Sequence, residues 1–145
     1  MLKLDGFKIQ NFELVHNVPN NAFIIDTSNG IRLLYCTDTQ YIPKRVKGVH
    51  YAIIECNHDL EFMLDNALDD VYSMSHYENH HSVDNCIEYL KAIYNKDLQG
   101  IILWHMSDTN INEVETVKKV KKELCFEQVF SASKNLILPL QKEEF

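Results

Sequence analysis

Short apolar runs that stop at polar residues divide the chain into the predicted strands of one sheet. Residues 22–26 and 31–36 flank Asn29-Gly30, and such a pair can take the positive φ angles of a tight turn between antiparallel strands. Residues 7–16 alternate in part, as expected for a strand with one solvent-exposed face. Further strands are predicted at residues 49–56, 100–104, 127–130 and 135–138.

Helices are predicted where apolar residues recur every three or four positions after a capping residue. The capping residues are Asp59, Ser82 and Asn112, the last forming a capping box pattern with Glu115. The helices are expected over residues 60–68, 83–95 and 113–124, with a loop at 69–81. Strands that alternate with helices in this way predict a layered α/β domain.

The composition indicates one globular domain over residues 1–145, because 46% of the residues are hydrophobic. The net charge is −7, which argues against nucleic-acid binding through a generally basic surface. Basic residues cluster at 44–47 and at 118–122, and the second cluster is interpreted as the solvated face of a helix.

Cysteine usage and the absence of a targeting pattern predict a soluble, cytoplasmic protein. The four cysteines form no Cys-x-x-Cys pair and are interpreted as buried, reduced thiols. No charged-then-apolar leader and no apolar run of membrane-spanning length is present, so no membrane partner is expected. Low glycine with frequent Asn, Ile and Lys suggests an AT-rich source such as a phage or a low-GC bacterium.

Polar side chains recur where the predicted strands end, and this is where ligands collect in layered α/β domains. Asp38 follows the second hairpin strand, and His16, His58 and His105 follow other strands. If these strands share one sheet, the side chains converge on one edge. Asp and His are also residues that hold zinc or manganese.

Several motifs in order resemble the later motifs of metallo-β-lactamase-fold hydrolases. They are Val15-His16-Asn17-Val18-Pro19, Tyr35-Cys36-Thr37-Asp38-Thr39-Gln40-Tyr41, Ile54-Glu55-Cys56-Asn57-His58-Asp59, His80-His81-Ser82 and Leu103-Trp104-His105-Met106-Ser107. Their order and spacing are similar to the phosphodiesterase and nuclease branch, which includes the tRNA 3′-processing endonucleases. The resemblance implies the C-terminal half of an αββα sandwich, a mixed sheet with an N-terminal antiparallel hairpin and helices on one face.

The resemblance also implies roles for individual residues. His16, Asp38 and His105 would be metal ligands, with Asp38 bridging two ions of zinc or manganese. His80 would donate a proton to the leaving oxygen, and Glu55 would orient it. An Asn-His-Asp element, Asn57, His58 and Asp59, would support the ligands from behind.

The sequence departs from that family in one large respect. It contains no His-x-His-x-Asp-His motif, which the resemblance would require for most of both metal sites. One hypothesis is therefore a phosphodiester hydrolase whose site is completed by the missing half-domain in trans or by a homodimer, with nucleic acid or a nucleotide as substrate. The alternative is a binding, inhibitor or regulatory protein, directed at a protein target, that kept the scaffold without catalysis. Metal content separates the two.

Overall fold

A seven-stranded mixed sheet, with its strands in chain order, organises the part of the chain that the computed structural model describes, residues 1–66 and 78–141. The strands are β1 (Leu2–Leu4), β2 (Phe7–Glu13), β3 (Asn21–Thr27), β4 (Arg32–Cys36), β5 (Tyr51–Glu55), β6 (Gly100–Trp104) and β7 (Val129–Ser131). Strands β1 to β4 pair antiparallel, and β4 to β7 pair parallel. The sequence analysis did not predict β1, whose three residues are all exposed.

The predicted hairpin is confirmed as β3 and β4, but its turn differs from the expected one. The Gly30 N–H donates to the Thr27 carbonyl (3.1 Å), and the Thr27 N–H donates to the Ile31 carbonyl (2.9 Å). Gly30 alone takes a positive φ, 82°, and Asn29 does not. The connection is thus a three-residue loop with glycine in the left-handed position, and the positive φ angle expected of the Asn29-Gly30 pair occurs at Gly30 alone.

The described helices are α1 (Leu60–Asp65), α2 (Val83–Ile93) and α3 (Glu113–Leu124). The three predicted caps are confirmed: the side chains of Asp59, Ser82 and Asn112 accept hydrogen bonds from the first turns of α1, α2 and α3, respectively. Helices α2 and α3 form the crossovers between parallel strands. The predicted end of the first helix and most of the predicted 69–81 loop lie outside the described residues.

One face of the sheet packs on α2 and α3 and holds the hydrophobic core. Its central row runs across β3 to β7 as Ile24, Leu34, Ala52, Ile101 and Val129. These residues are at most 6% exposed, and they cluster with Leu90 of α2 and Val120 of α3. The predicted α/β class, with a mixed sheet, an N-terminal hairpin and helices on one face, is confirmed.

The C-terminal segment crosses the opposite face of the sheet. Residues 135–138, predicted as a strand, form no strand, because the chain leaves the sheet after β7. Leu136, Leu138 and Leu140 instead line a cavity of about 280 Å³ over β4, β5 and β6. The Tyr51 hydroxyl holds this segment by donating to the Gln141 carbonyl at 3.1 Å.

Two expectations about burial need correction. Cys125, expected to be buried, is exposed at the left-handed C-cap of α3, whereas Cys36, Cys56 and Cys86 are buried free thiols. His81, at the end of the predicted 69–81 loop, would be expected at the surface, but it is 1% exposed, and its Nδ1 lies 3.1 Å from the Gln40 carbonyl oxygen. Isolated residues on irregular segments give no periodic signal of burial.

Among the helices of residues 1–66 and 78–141, none combines the length and apolarity needed to cross a membrane.

Candidate metal centre

The carboxyl ends of three neighbouring strands carry the polar residues of the candidate site. Glu55 is the last residue of β5, Asp38 lies two residues beyond β4, and His105 directly follows β6. Because β4, β5 and β6 are parallel neighbours, these ends share one edge of the sheet.

Asp38, Glu55, His80 and His105 place one ligand atom each within 4.8 Å of one another. His105 Nδ1 lies 3.4 Å from Asp38 Oδ1 and 2.9 Å from Glu55 Oε1. His80 Nδ1 lies 2.6 Å from the same Glu55 oxygen. Two carboxylates and two imidazoles are a donor set that zinc or manganese accepts, so the residues present fit such an ion.

Glu55 is the buried centre of this cluster. Its side chain is fully buried, and its second oxygen, Oε2, accepts the Thr39 backbone N–H at 2.7 Å. Burial raises the pKa of this carboxyl, but the hydrogen bonds from His80, Thr39 and His105 outweigh that effect and hold the pKa below its ordinary value. Glu55 is therefore ionised at neutral pH.

His80 enters the cluster from the segment that precedes α2. Ser82, two residues after His80, caps α2. The position of His80 therefore depends on where the helix begins. The hydrogen bond to Glu55 raises the pKa of His80 above its ordinary value, although burial opposes the shift. The His80 and His105 rings meet edge to face, with centroids 5.1 Å apart. Glu55 thus orients both imidazoles, as expected for carboxylate–histidine pairs beside metals.

His16 lies next to the cluster rather than in it. An isolated bridge between Val15 and Tyr41 brings the end of the first long strand to the Asp38 loop. The His16 ring is 5.5 Å from the His80 ring, and its Nδ1 lies 3.0 Å from the Asn79 carbonyl oxygen. Of the three predicted ligands, Asp38 and His105 are in contact, while His16 lies against the His80 ring.

The Asn-His-Asp element divides into residues with different contacts. The Asn57 side chain donates to the His105 carbonyl at 2.8 Å, so it supports the site directly. His58 is 1% exposed, and burial lowers its pKa to about 4. The Asp59 carboxylate caps α1 and pairs with Lys119 at 3.3 Å. Asp59 therefore faces the helices.

The backbone at the site shows a feature that sequence reasoning missed. Asp38 and His105 both have φ of 54°, in the left-handed region that non-glycine residues seldom occupy. Such conformations persist where surrounding contacts impose them, and they cluster at functional sites. Thr39, completely buried and donating to Glu55, was also missed. Neither feature has a sequence signal beyond the polar cluster itself.

Fold comparisons match the chain to a known architecture. Neither family models nor curated protein sequences match the chain. Among solved structures, the metallo-β-lactamase-fold protein YhfI from Bacillus subtilis matches with a TM-score of 0.70 at 18% identity, over 93% of this chain and 49% of that chain. The short form of human tRNase Z (ELAC1) matches with a TM-score of 0.64 at 14% identity, over 97% of this chain and 46% of that one.

The chain therefore has the fold of part of a metallo-β-lactamase domain. It spans about half the length of both solved structures that it matches. The resemblance expected from the motifs is confirmed at the level of fold. At such low identity the match shows architecture alone.

Proposed function

We propose that this chain is the half-domain of a metal-dependent phosphodiester hydrolase. The observation that carries the proposal is the cluster of Asp38, Glu55, His80 and His105 at the carboxyl edge of the sheet. Two further facts support it: the fold matches a metallo-β-lactamase-fold protein, and one of the matched structures is a tRNase Z.

Asp38 and His105 would be the outer ligands of the ion, because their side chains are 40% and 42% exposed. Glu55 and His80 lie behind them, paired with each other, and would serve proton transfer rather than hold the ion. A bound zinc or manganese ion would supply Lewis acidity and a water molecule of lowered pKa. His16, one ring further out, would join only a site extended in that direction.

The chain's own residues also provide proton transfer. Glu55 raises the pKa of His80, so His80 keeps its proton up to a higher pH than an ordinary imidazole does. An imidazolium held in a fixed orientation is a suitable general acid towards a departing oxygen. His80 would fill that role, with Glu55 as its positioning residue.

Completion of the site would require polypeptide beyond these 145 residues, either another half-domain or a second copy of the chain. The sequence lacks the His-x-His-x-Asp-His motif, and the chain corresponds to only half of the matched structures. A nucleic acid or nucleotide would be the substrate only of the completed site. The three buried, free thiols suit a reducing compartment, which supports a cytoplasmic location as part of this proposal.

One observation favours a second candidate function, a non-catalytic binding or regulatory protein. Glu55 already satisfies one nitrogen of both imidazoles, and the Thr39 N–H satisfies its other oxygen. These hydrogen bonds pair the named donors and acceptors with one another and need no metal to do so. A scaffold that had lost its metal would keep such a network.

Metal binding separates these two functions. We expect the purified protein to bind about one zinc or manganese ion, measured by titration calorimetry and elemental analysis. Asp38→Asn should weaken binding at least about tenfold, since it removes a charged ligand. The exposed carboxylate of Asp97 provides the matched control, and Asp97→Asn should bind as the wild type does.

Activity is measured with bis-(p-nitrophenyl) phosphate and the same ion. Hydrolysis that Asp38→Asn and His80→Ala abolish would support the enzyme. A protein that binds neither ion would contradict the metal-dependent proposal and leave the binding protein as the better description.

A further inference from the structure

The main chains of Asp38 and His105, the two left-handed residues of the candidate site, are held in the same way. Both residues lie just beyond the end of a strand, and both have φ of 54°. The Asn20 side-chain NH₂ group donates to the Asp38 carbonyl at 2.8 Å. The Asn57 side-chain NH₂ group donates to the His105 carbonyl, also at 2.8 Å. An asparagine therefore contacts the backbone of each outer residue of the cluster.

Asn20 reaches Asp38 because of the sheet topology. Strands β3 and β4 are antiparallel, so the residue before β3 lies at the edge where β4 ends. From there the Asn20 amide also donates to the Thr37 carbonyl at 2.6 Å. Its Oδ1 accepts the Asn21 N–H at 2.8 Å, which fixes the orientation of the amide. One side chain thus spans two successive carbonyl groups of the Asp38 loop.

Two successive carbonyls meet one donor where the chain between them is not extended. Neighbouring carbonyl groups of a strand point to opposite sides, whereas a residue with helical or left-handed dihedral angles brings them to the same side. The positive φ of Asp38 and the double contact of Asn20 are therefore parts of one arrangement. A left-handed aspartate is unfavourable by itself and persists where surrounding contacts impose it.

Asn57 has the equivalent place beside His105. It lies two residues beyond the end of β5, next to the parallel strand β6 that His105 follows. The Asn57 residue is 4% exposed, and within residues 1–66 and 78–141 its Oδ1 makes no hydrogen bond. The bond to His105 is therefore the polar contact through which this buried side chain acts.

We propose that Asn20 and Asn57 are positioning residues of the candidate metal centre. Each holds the main chain of one outer ligand in the left-handed conformation. Each thereby sets the direction from which the Asp38 carboxylate or the His105 imidazole enters the cluster, as outer hydrogen bonds do for metal ligands in general. The metal in this inference rests on the proposed function, but the backbone conformation is measurable without one.

Backbone NMR of the metal-free protein tests the contact at Asp38. We expect Asn20→Ala to move the Asp38 chemical shifts away from their wild-type values, because its carbonyl loses the donor that holds the left-handed conformation. Asn95→Ala is the matched control. The Asn95 amide also donates to two carbonyls, those of Val49 at 3.1 Å and Ile93 at 3.3 Å, but before the start of β5. Its loss should leave the Asp38 shifts unchanged.

Titration of the same proteins with zinc chloride measures the consequence for the site. We expect Asn20→Ala to bind zinc about tenfold more weakly than the wild type, and Asn95→Ala to bind as the wild type does. Asn57→Ala should weaken binding in the same way, through His105. Cobalt gives a readout that lost stability would not move: the ligand-field absorption of bound Co²⁺ should change in the Asn20 and Asn57 variants and not in Asn95→Ala.

Urea denaturation establishes that each variant is folded during the titration. If Asn20→Ala is not, Asn20→Ser takes its place, since serine keeps an acceptor for the Asn21 N–H but lacks the reach to both carbonyls. Either unchanged Asp38 shifts or wild-type zinc affinity in the Asn20 variant would overturn the positioning role. So would a loss of zinc affinity that Asn95→Ala shares. A wild type that binds no zinc, with Asp38 shifts that move in Asn20→Ala, would overturn the proposed function and support the positioning of Asp38.

Discussion

A single carboxylate, Glu55, determines the local order of the candidate site. It is fully buried and holds three donors: the imidazoles of His80 and His105 and the backbone N–H of Thr39. These donors come from different segments of the chain, so one side chain ties the β4 loop, the α2 entry and the β6 end together. A buried charge with several charge-assisted hydrogen bonds is costly to disturb.

We therefore expect Glu55→Gln to lower the free energy of unfolding by about 2 to 4 kcal/mol. The glutamine NH₂ group would replace one buried carboxylate oxygen and would face a donor that Glu55 now accepts. Urea denaturation at neutral pH measures this change. The exposed Glu113 is the matched control, and Glu113→Gln should differ from wild type by less than about 0.5 kcal/mol. Equal stability of the two variants would show that the Glu55 network contributes nothing to folding.

At the scale of elements, the entry to α2 links helix formation to the site. Ser82 accepts a hydrogen bond from the Asn85 N–H at 3.2 Å, while the Val83 N–H donates to the His58 carbonyl at 2.9 Å. The helix start is thus joined to the end of β5. His80 lies two residues before the cap, so its position depends on where α2 begins.

Loss of this cap should be measurable. Ser82→Ala is expected to lower the free energy of unfolding by about 1 kcal/mol, because an N-terminal N–H of α2 loses its acceptor. Thermal and urea denaturation measure the change, with Ser133→Ala in the exposed C-terminal segment as control. No difference between the variants would mean that the main-chain contact with His58 alone sets the start of α2.

At the scale of the whole molecule, buried histidines with opposite pKa shifts determine how stability depends on pH. The pKa of His80 is raised, so its stabilising contribution is complete below the ordinary histidine pKa and is lost as the pH rises through the raised value. Burial lowers the pKa of His58 and of His81. Their effect is the reverse, and stability decreases as the pH falls below about 6.5, the ordinary value.

Glu55 adds to acid sensitivity only at lower pH, because its stabilisation is present above the ordinary glutamate pKa and is lost as the pH falls through its lowered value. Between the ordinary histidine pKa and the lowered pKa of Glu55, His58 should contribute most to the change of stability with pH.

With a folded pKa of about 4 against 6.5, His58 should cost about 3 kcal/mol of stability over that interval. We expect His58→Gln to flatten the decrease in stability between pH 7 and 5, measured by urea denaturation at several pH values. His50→Gln serves as control, because His50 lies at the other end of β5. An unchanged slope in His58→Gln would contradict the assignment.

Much of the molecule could be predicted from sequence because its signals are local. The hairpin, the three caps and the strands predicted over residues 49–56 and 100–104 each follow from a short local pattern, either an apolar run or a capping residue. Strand β1 and the course of residues 135–138 could not be predicted in this way, since a short exposed strand and an apolar segment lying on a sheet have similar patterns.

The candidate site was predicted from sequence only in outline. Asp38 and His105 do meet, because parallel neighbouring strands end at one edge, and Glu55 does hold His80. Their metal and catalytic roles stay predictions. The position of His16 beside the cluster depends on loop geometry. So does the orientation of the Asp59 side chain, which faces Lys119 of α3 instead of the cluster.

The sequence by itself determined the layered α/β class, the helix starts and the polar residues that end each strand, because these depend on periodicity and local hydrogen bonding. Only the tertiary structure decided which polar groups hydrogen-bond to one another at the candidate site. It also decided that one sheet face is covered by helices while the other stays partly open. Both decisions rest on contacts between segments distant in the chain, whose distances and register no local pattern specifies.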